Sequence, residues 1–279
     1  MALPCWAAND FSGDPNVVAF YKMEVADFDN PANNKLYDHS GNANVLSITG
    51  ANADPTADTV NYKEGAASCY FNPAATTCWG YRTDGNLSSD FPLKVGYANP
   101  VAASVAFWFR AAALPTLGEQ YIGLVAKYHS SNERSFMVLL FYNSGTPILG
   151  FWKGHTSGTA SESTNHTTTI SADQWYHVAL TYNDTTGAVV FRVWDETAGT
   201  VLEVTDTHNE AISLEDTPFT LGVWGELSMQ DLNFDGRLDE VVVFDDVLTA
   251  DEIDEIRAGT YGAPAATGTS NWWWRRRHN

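Results

Sequence analysis

Asp231-Leu-Asn-Phe-Asp-Gly-Arg-Leu-Asp239 is the stretch whose residue types and spacing come nearest to a known chemistry. Its D-x-N-x-D-G order matches the first six positions of a calcium loop, in which alternate oxygen-bearing side chains converge on the ion and the glycine permits the sharp turn. Asp231, Asn233, Asp235 and Asp239 are therefore the candidate metal ligands, and a structural Ca2+ is the expected cofactor. The twelfth position is Val242 instead of a bidentate glutamate, so a network of hydrogen-bonded carboxylates and turn caps stands as the competing reading. A second candidate chemistry is sugar binding, which needs aromatic platforms for ring faces and amides or carboxylates for hydroxyls. Trp79, Tyr128, Trp152 and Trp224 are the candidate ligand-binding residues, with Tyr81 a further platform and Asn132 and His155 as polar neighbours; the alternative is that these aromatics are core. Nucleophile elbows (G-x-S-x-G), H-E-x-x-H pairs, P-loops and C-x-x-C pairs are all absent. No catalytic residue is assigned, and the expectation is a protein that is not an enzyme.

The most unusual feature is the end of the chain, Trp272-Trp-Trp-Arg-Arg-Arg-His-Asn279. Three indoles that bury ~150 to 250 Å² each would bring a large apolar gain, which a free polar tail does not need. Trp272, Trp273, Trp274, Arg275, Arg276 and Arg277 are thus expected to dock into a partner or a neighbouring subunit, the arginines meeting an acidic surface. Folding back on the same chain is the alternative. The acidic body disfavours a membrane interface: without the three tail arginines, residues 1 to 274 carry 12 Lys or Arg against 34 Asp or Glu, a formal charge of -22. The same field repels nucleic acid and suits calcium, neutral glycans or a basic protein partner.

The elements that must position these groups read as strands. From Trp175 to Tyr182 the side chains alternate, with Trp175, His177, Ala179 and Thr181 on one face and Tyr176, Val178, Leu180 and Tyr182 on the other. Ala188 to Asp195 is β-branched and aromatic, and Asn183-Asp-Thr-Thr-Gly187 between the two runs supplies a polar turn, so the whole predicts a β-hairpin. Further strands are expected at 17 to 21, 66 to 71, 103 to 110, 121 to 127, 135 to 142, 147 to 152, 200 to 204, 219 to 223 and 236 to 244. In the 103 to 110 strand, Trp108 and Arg110 imply a second face that is only half wet. Residues 153 to 169 are mostly Gly, Ser, Thr and His and predict a long surface hairpin or loop. Thr249-Ala-Asp-Glu252 is a capping box opening one short helix that Gly259 stops. Of Cys5, Cys69 and Cys78, the last two are expected as buried thiols in preference to a bridge.

Trp175-Tyr-His-Val-Ala-Leu-Thr-Tyr182 resembles the W-x-H-V-A-x-T-Y hairpin of the laminin G-like, concanavalin A-like jelly-roll domains, and Phe234-Asp-Gly-Arg-Leu-Asp-Glu-Val-Val-Val-Phe244 is similar to their closing strand. Asp38-His-Ser-Gly-Asn42, Lys63-Glu-Gly-Ala-Ala-Ser-Cys-Tyr-Phe71 and Ala103-Ser-Val-Ala-Phe-Trp-Phe-Arg110 match in the family's order. The resemblance implies an all-β, antiparallel jelly-roll sandwich over residues 17 to 258, preceded by an arm (1 to 16) and followed by a tail (259 to 279). It also implies a calcium site joining the closing strand to the N-terminal region, which makes Asp239 with Glu24 or Asp38 a second possible ligand set. The E-x-D-x-x-E strand signature of glucanases on this fold is missing; Glu252-Ile-Asp-Glu255 resembles it only on a helix. Function is poorly specified by the fold, since such sandwiches serve as sugar binders, adhesion modules and structural parts. The N-terminus lacks the basic start and apolar run of a signal peptide. The expectation is a structural or adhesion subunit of a larger assembly, most concretely a bacteriophage capsid-decoration or tail-surface protein. It would be cytoplasmic before assembly, homo-oligomeric or joined to other virion subunits, and able to touch glycans. A free carbohydrate-binding module is the alternative, and a glycan-active enzyme is the third reading.

Overall fold

The computed structural model describes residues 9–28, 35–50, 55–72, 78–98, 101–117, 121–129, 133–155, 161–224 and 233–262. Its first strands are β1 (Val17–Tyr21), β2 (Lys35–Leu36), β3 (Leu46–Gly50), β4 (Thr56–Asp58), β5 (Ser68–Phe71), β6 (Cys78–Arg82) and β7 (Ala102–Ala111). Then come β8 (Tyr121–Tyr128), β9 (Arg134–Asn143), β10 (Thr146–Gly154), β11 (Ser161–Thr169), β12 (Trp175–Asn183), β13 (Ala188–Asp195), β14 (Thr200–Thr207), β15 (Phe219–Leu221) and β16 (Gly236–Phe244), followed by the helix α1 (Ala250–Arg257). One sheet runs β14-β13-β12-β7-β16-β5-β4, with β1 paired to β16; the other runs β11-β10-β9-β8-β15-β6-β3-β2. All pairings are antiparallel, so the protein is a two-sheet jelly-roll sandwich, as the sequence predicts.

Period-two alternation decides which side chains meet between the sheets. Val105, Phe107 and Phe109 of β7, Tyr176, Val178 and Leu180 of β12, and Val138, Leu140, Leu149 and Phe151 of the second sheet share one core. The outer face of the first sheet is also covered. Ala106, Ala179, Val242 and Phe244 pack under Leu248, Ile253 and Ile256, which is why Trp108, on the same face, is only 1% exposed. Packing continues beyond the strands at both ends of the chain: Phe11 lies with its ring 5.2 Å from that of Tyr261, and both join this cluster.

The helix starts as its capping box dictates, Glu252 N donating to Thr249 Oγ1 and Thr249 N to the Glu252 carboxylate, and Gly259 closes it at φ 68°. Cys69 and Cys78 are both buried as thiols. Of the two readings of residues 153 to 169, surface hairpin or loop, the hairpin holds: residues 161 to 169 form the full strand β11, antiparallel to β10 on the edge of the second sheet. Its alternation is real, with Thr164, His166 and Thr168 buried and Ser163, Asn165 and Thr167 exposed, but the buried residues are polar and so gave no apolar signal. They are accommodated because the strand's inner face has partners: Thr164 Oγ1 donates to Asp206, and His166 Nε2 lies 3.3 Å from the Leu202 carbonyl of β14.

Candidate functional site

The outer face of the second sheet gathers aromatic side chains from separate parts of the chain. In β8, β9 and β10 the residues turned away from the core are Ala126, Tyr128, Met137, Leu139, Phe141 and Ile148, and Tyr121, Trp152 and Trp224 pack against them half-buried. The Tyr121 ring is central, 4.6 Å from that of Trp152 and stacked at 6.1 Å on that of Trp224, while Tyr128 lies 5.6 Å from Trp224. Trp152 lies down over its own strand because residue 150 is glycine: a Cβ there would stand 3.3 Å from the indole nitrogen. Beside this aromatic group β11 turns Ser163, Asn165 and Thr167 to solvent, with Ser163 paired to Trp152 and Asn165 to Gly150. Half-covered rings thus border a row of hydroxyl and amide groups. Such a surface offers an apolar platform for the C–H face of a sugar and donors and acceptors for its hydroxyls.

Three of the four expected ligand-binding residues, Tyr128, Trp152 and Trp224, are therefore brought together. Trp79 is not among them: it is 3% exposed on β6, separated from β8 by β15. Tyr81 is on β6 as well, and His155 is 9% exposed in a bridge to Ile212. Asn132 lies outside the described residues, as do Trp272, Trp273, Trp274, Arg275, Arg276 and Arg277. Tyr121 and Phe141 are members that sequence reasoning missed; their positions in strands β8 and β9 were the only signal.

The expected metal ligands that are described lie at the entrance of β16 and within it. Asp231 lies outside the described residues; Asn233 and Asp235 precede β16, and Asp239 lies within it. Four strand residues carry Asp239 about 13 Å from Asp235 at the usual rise. Asp239 is wholly buried and serves another purpose: its Oδ2 accepts from the amides of Lys63 (2.7 Å) and Glu64 (3.1 Å). Glu24 grips the same turn, accepting from Ala66 N at 2.9 Å. Asp38 caps a different turn, accepting from the amides of Phe20, Ser40 and Asn44. Burial pushes the Asp239 carboxyl well above the ordinary range, and the nearby Glu64 and Glu24 push it the same way. A buried carboxyl that holds two amides of the turn before β5 is a structural clamp. Among the described residues no group of three or more His, Cys, Asp or Glu side chains is arranged to hold a metal.

No helix of the described residues is long and apolar enough to cross a membrane. A family model described as the concanavalin A-like lectin/glucanases superfamily matches residues 84–254. A search of curated proteins returns no match. Among solved structures, the receptor binding domain of botulinum neurotoxin mosaic serotype C/D is similar at 10% identity, over 88% of this chain and 51% of that one, with a TM-score of 0.55. The botulinum neurotoxin serotype D binding domain is similar at 12% identity over 88% and 51%, with a TM-score of 0.54. The enzymatically active domain of bacteriophage CBA120 tailspike protein 2 is similar at 13% identity over 78% and 31%, with a TM-score of 0.52. This chain spans about half the length of the neurotoxin chains, and at these identities the likeness is one of fold. With the hairpin and closing-strand motifs in place on two antiparallel sheets and the family match covering more than half of its length, the chain belongs to the concanavalin A-like lectin/glucanases superfamily.

Proposed function

We propose that this chain is a non-enzymatic adhesion subunit of a larger assembly, most concretely a bacteriophage virion surface, which binds glycan on the outer face of its second sheet. The observation that carries this reading is the convergence of Tyr121, Trp152 and Trp224 beside the exposed row Ser163, Asn165 and Thr167. Membership of a lectin-containing family supports it, as does fold likeness to domains described as receptor-binding and to a phage tailspike domain. A glycan array should return a ligand class for the wild-type protein. Trp152→Ala should then weaken that binding by about 2 kcal/mol, roughly thirtyfold, as expected for an aromatic at the centre of a contact. Its melting temperature should fall only slightly, because the ring is half-buried. Retention of full affinity by Trp152→Ala and by Trp224→Ala would sink the assignment of this face.

Attachment is assigned to Trp272–Arg277. The cut that tests it belongs after Gly262 and not before Tyr261, since Tyr261 N donates to Asn9 and the Tyr261 ring packs on Phe11 and Phe244. Light scattering should find the full chain in an oligomer, or in complex with its virion partner, and the chain ending at Gly262 as a folded monomer that joins neither. If the shortened chain assembles as the full chain does, the tail is not the attachment device.

A further inference from the structure

On the other side of the sandwich, between the outer face of the first sheet and the C-terminal end of α1, lies a cavity of about 330 Å³. Four places in the chain enclose it. The turn before β5 brings Lys63 and Glu64, β7 brings Trp108, the turn after β13 brings Glu196, and the end of α1 closes it with Arg257, Ala258 and Gly259. Its volume lies at the low end for small-ligand sites and is enough for one large side chain. The walls are held by their own contacts. Lys63 pairs with Glu196 and lies over the Trp108 ring, 4.5 Å from its centroid. Arg257 reaches Asp254 at 3.5 Å and stacks on the Trp194 ring at 4.2 Å. Trp194 is not part of the cavity wall, so it covers Arg257 from outside, and a planar guanidinium has a second face for another ring.

The chain leaves the described fold close to this cavity. Tyr261 N donates to Asn9 Oδ1 at 3.0 Å and Asp10 N to the Tyr261 carbonyl at 2.9 Å, and a Cβ at Gly262 would stand 1.9 Å from the Asp10 carbonyl oxygen. Gly262 is three Cα steps from Gly259, which bounds their separation at about 11 Å. Residues 263 to 271 precede Trp272 and hold no charge and no aromatic, and ten Cα steps at ~3.5 Å reach roughly 35 Å. The indoles of the tail can therefore return to the cavity with chain to spare. Its arginines would then meet an acidic surface. The helix α1 carries Asp251, Glu252, Asp254 and Glu255 against Arg257 alone, with Asp251 and Glu255 exposed, on a body whose formal charge without the tail arginines is -22.

We infer that this cavity is the socket for the chain's own C-terminal segment: in the free subunit one indole of Trp272, Trp273 or Trp274 sits in it against the open face of Arg257, and Arg275, Arg276 and Arg277 lie over the acidic side of α1. Linkage decides between the chain's own tail and that of a second copy. A short linker that spans the gap gives an effective concentration of about 1 mM, which a second copy matches only at that concentration in solution. The inference deepens the attachment reading and rests on it in one respect: a partner that takes the tail must first draw it out of this socket.

The experiment compares backbone amide spectra of the full chain and of a full-length variant in which Trp272, Trp273 and Trp274 are all replaced by serine. The two should differ at Lys63, Glu196 and Arg257 to Gly259, and the difference should persist on dilution. A peptide of residues 270 to 279, added to the chain ending at Gly262, should move the same signals along a saturating curve. Its Kd should be about 0.1 mM or tighter, the value that leaves a tail linked at about 1 mM nine-tenths docked. Arg257→Ala should weaken the peptide about fivefold, through the loss of the cation beside the inserted ring. Cavity signals that are identical in the two full-length proteins overturn the inference, as does an unchanged peptide affinity in Arg257→Ala. A difference that fades on dilution gives the socket to a second copy and overturns docking in the same chain. If Arg257→Ala does not fold, the comparison of the two full-length proteins decides. The attachment reading is judged apart from this, by assembly: a tail that assembles the subunit while the cavity signals stay unmoved keeps that reading and overturns the socket.

Discussion

Replacing Glu64 with glutamine is expected to raise the melting temperature near pH 8 by about 5 to 10 °C and to leave it nearly unchanged near pH 4. The carboxyl titrates at about 7 in the folded protein against an ordinary value of 4.5, chiefly because burial disfavours its charge. The folded chain therefore holds a proton that the unfolded chain releases. Stability from this group is fully present below the unfolded value and is lost as pH rises through the folded one, a change of about 3 kcal/mol over that window. Glutamine keeps the shape and takes no part in the titration. The wild type should fall steeply in stability between about pH 5 and pH 8, while Glu64→Gln should fall less. Parallel melting curves for the two proteins across that range would show that Glu64 is not the buried acid described here.

The variant should not become wholly flat, because Asp239 and Glu240 act in the same direction. Burial raises both well above the ordinary range, with Glu64 adding to each. Glu240 occupies the bulge in β16 between Asp239 and Val242, at φ 49°, an unusual conformation for a side chain with a Cβ. At the acid end the sign reverses. Hydrogen bonds from Lys153 and from the Asn209 and Glu210 amides outweigh burial at Glu162 and hold it down to about 2, so its contribution is fully present above its unfolded value of 4.5 and is lost as pH falls from there through about 2. The wild-type profile should accordingly peak near pH 5, between these opposing groups.

What could be read from the residues depended on how far apart along the chain the cause lay. The β12–β13 hairpin and the capped helix are local, so periodicity, one turn and four cap residues sufficed. The closing strand was legible in the same way, whereas the second face at Trp108, expected to be half wet, is covered, and Trp108 is 1% exposed. Strand β11 was legible only as one of two readings, because its buried positions hold threonine and histidine, whose presence inside depends on acceptors supplied by β14 some forty residues later. The candidate face was legible in part, since Tyr128, Trp152 and Trp224 could be named as aromatics beside turns. Their meeting could not, because it depends on the order β10-β9-β8-β15 and on Tyr121 and Phe141 filling the space between them. The Glu64 cavity left no trace at all: its walls come from four places in the chain, joined only by the folded sheet and helix.

Glycines make the same point in a form that can be measured. Gly123→Ala should destabilise the protein by about 2 to 4 kcal/mol, while Gly85→Ala should stay within about 0.5 kcal/mol of wild type. In the sequence Gly123 falls inside an expected strand and Gly85 in Asp84-Gly-Asn86, but neither context says what a side chain there would meet. In the fold, a Cβ at residue 123 would stand 2.5 Å from the Trp224 backbone nitrogen and Cα and from the Val223 carbonyl carbon, whereas one at residue 85 would meet nothing within 4 Å. The obstruction at 123 is main chain on both sides, anchored where Gly222 N donates to Leu124 O, so no rotamer change can relieve it and either β8 or the segment after β15 has to shift. That segment carries Trp224, whose ring stacks on Tyr121. The alanine should therefore loosen the aromatic face as well as the fold: glycan affinity should fall together with stability, and the Trp224 indole resonance should move while that of Trp108, on the opposite side of the sandwich, stays in place. Urea titration supplies the first quantity and the indole spectrum the second. A Gly123→Ala protein as stable as wild type, or destabilised with its Trp224 signal unmoved, would mean that the close approach of the chain at Trp224 does not position the face.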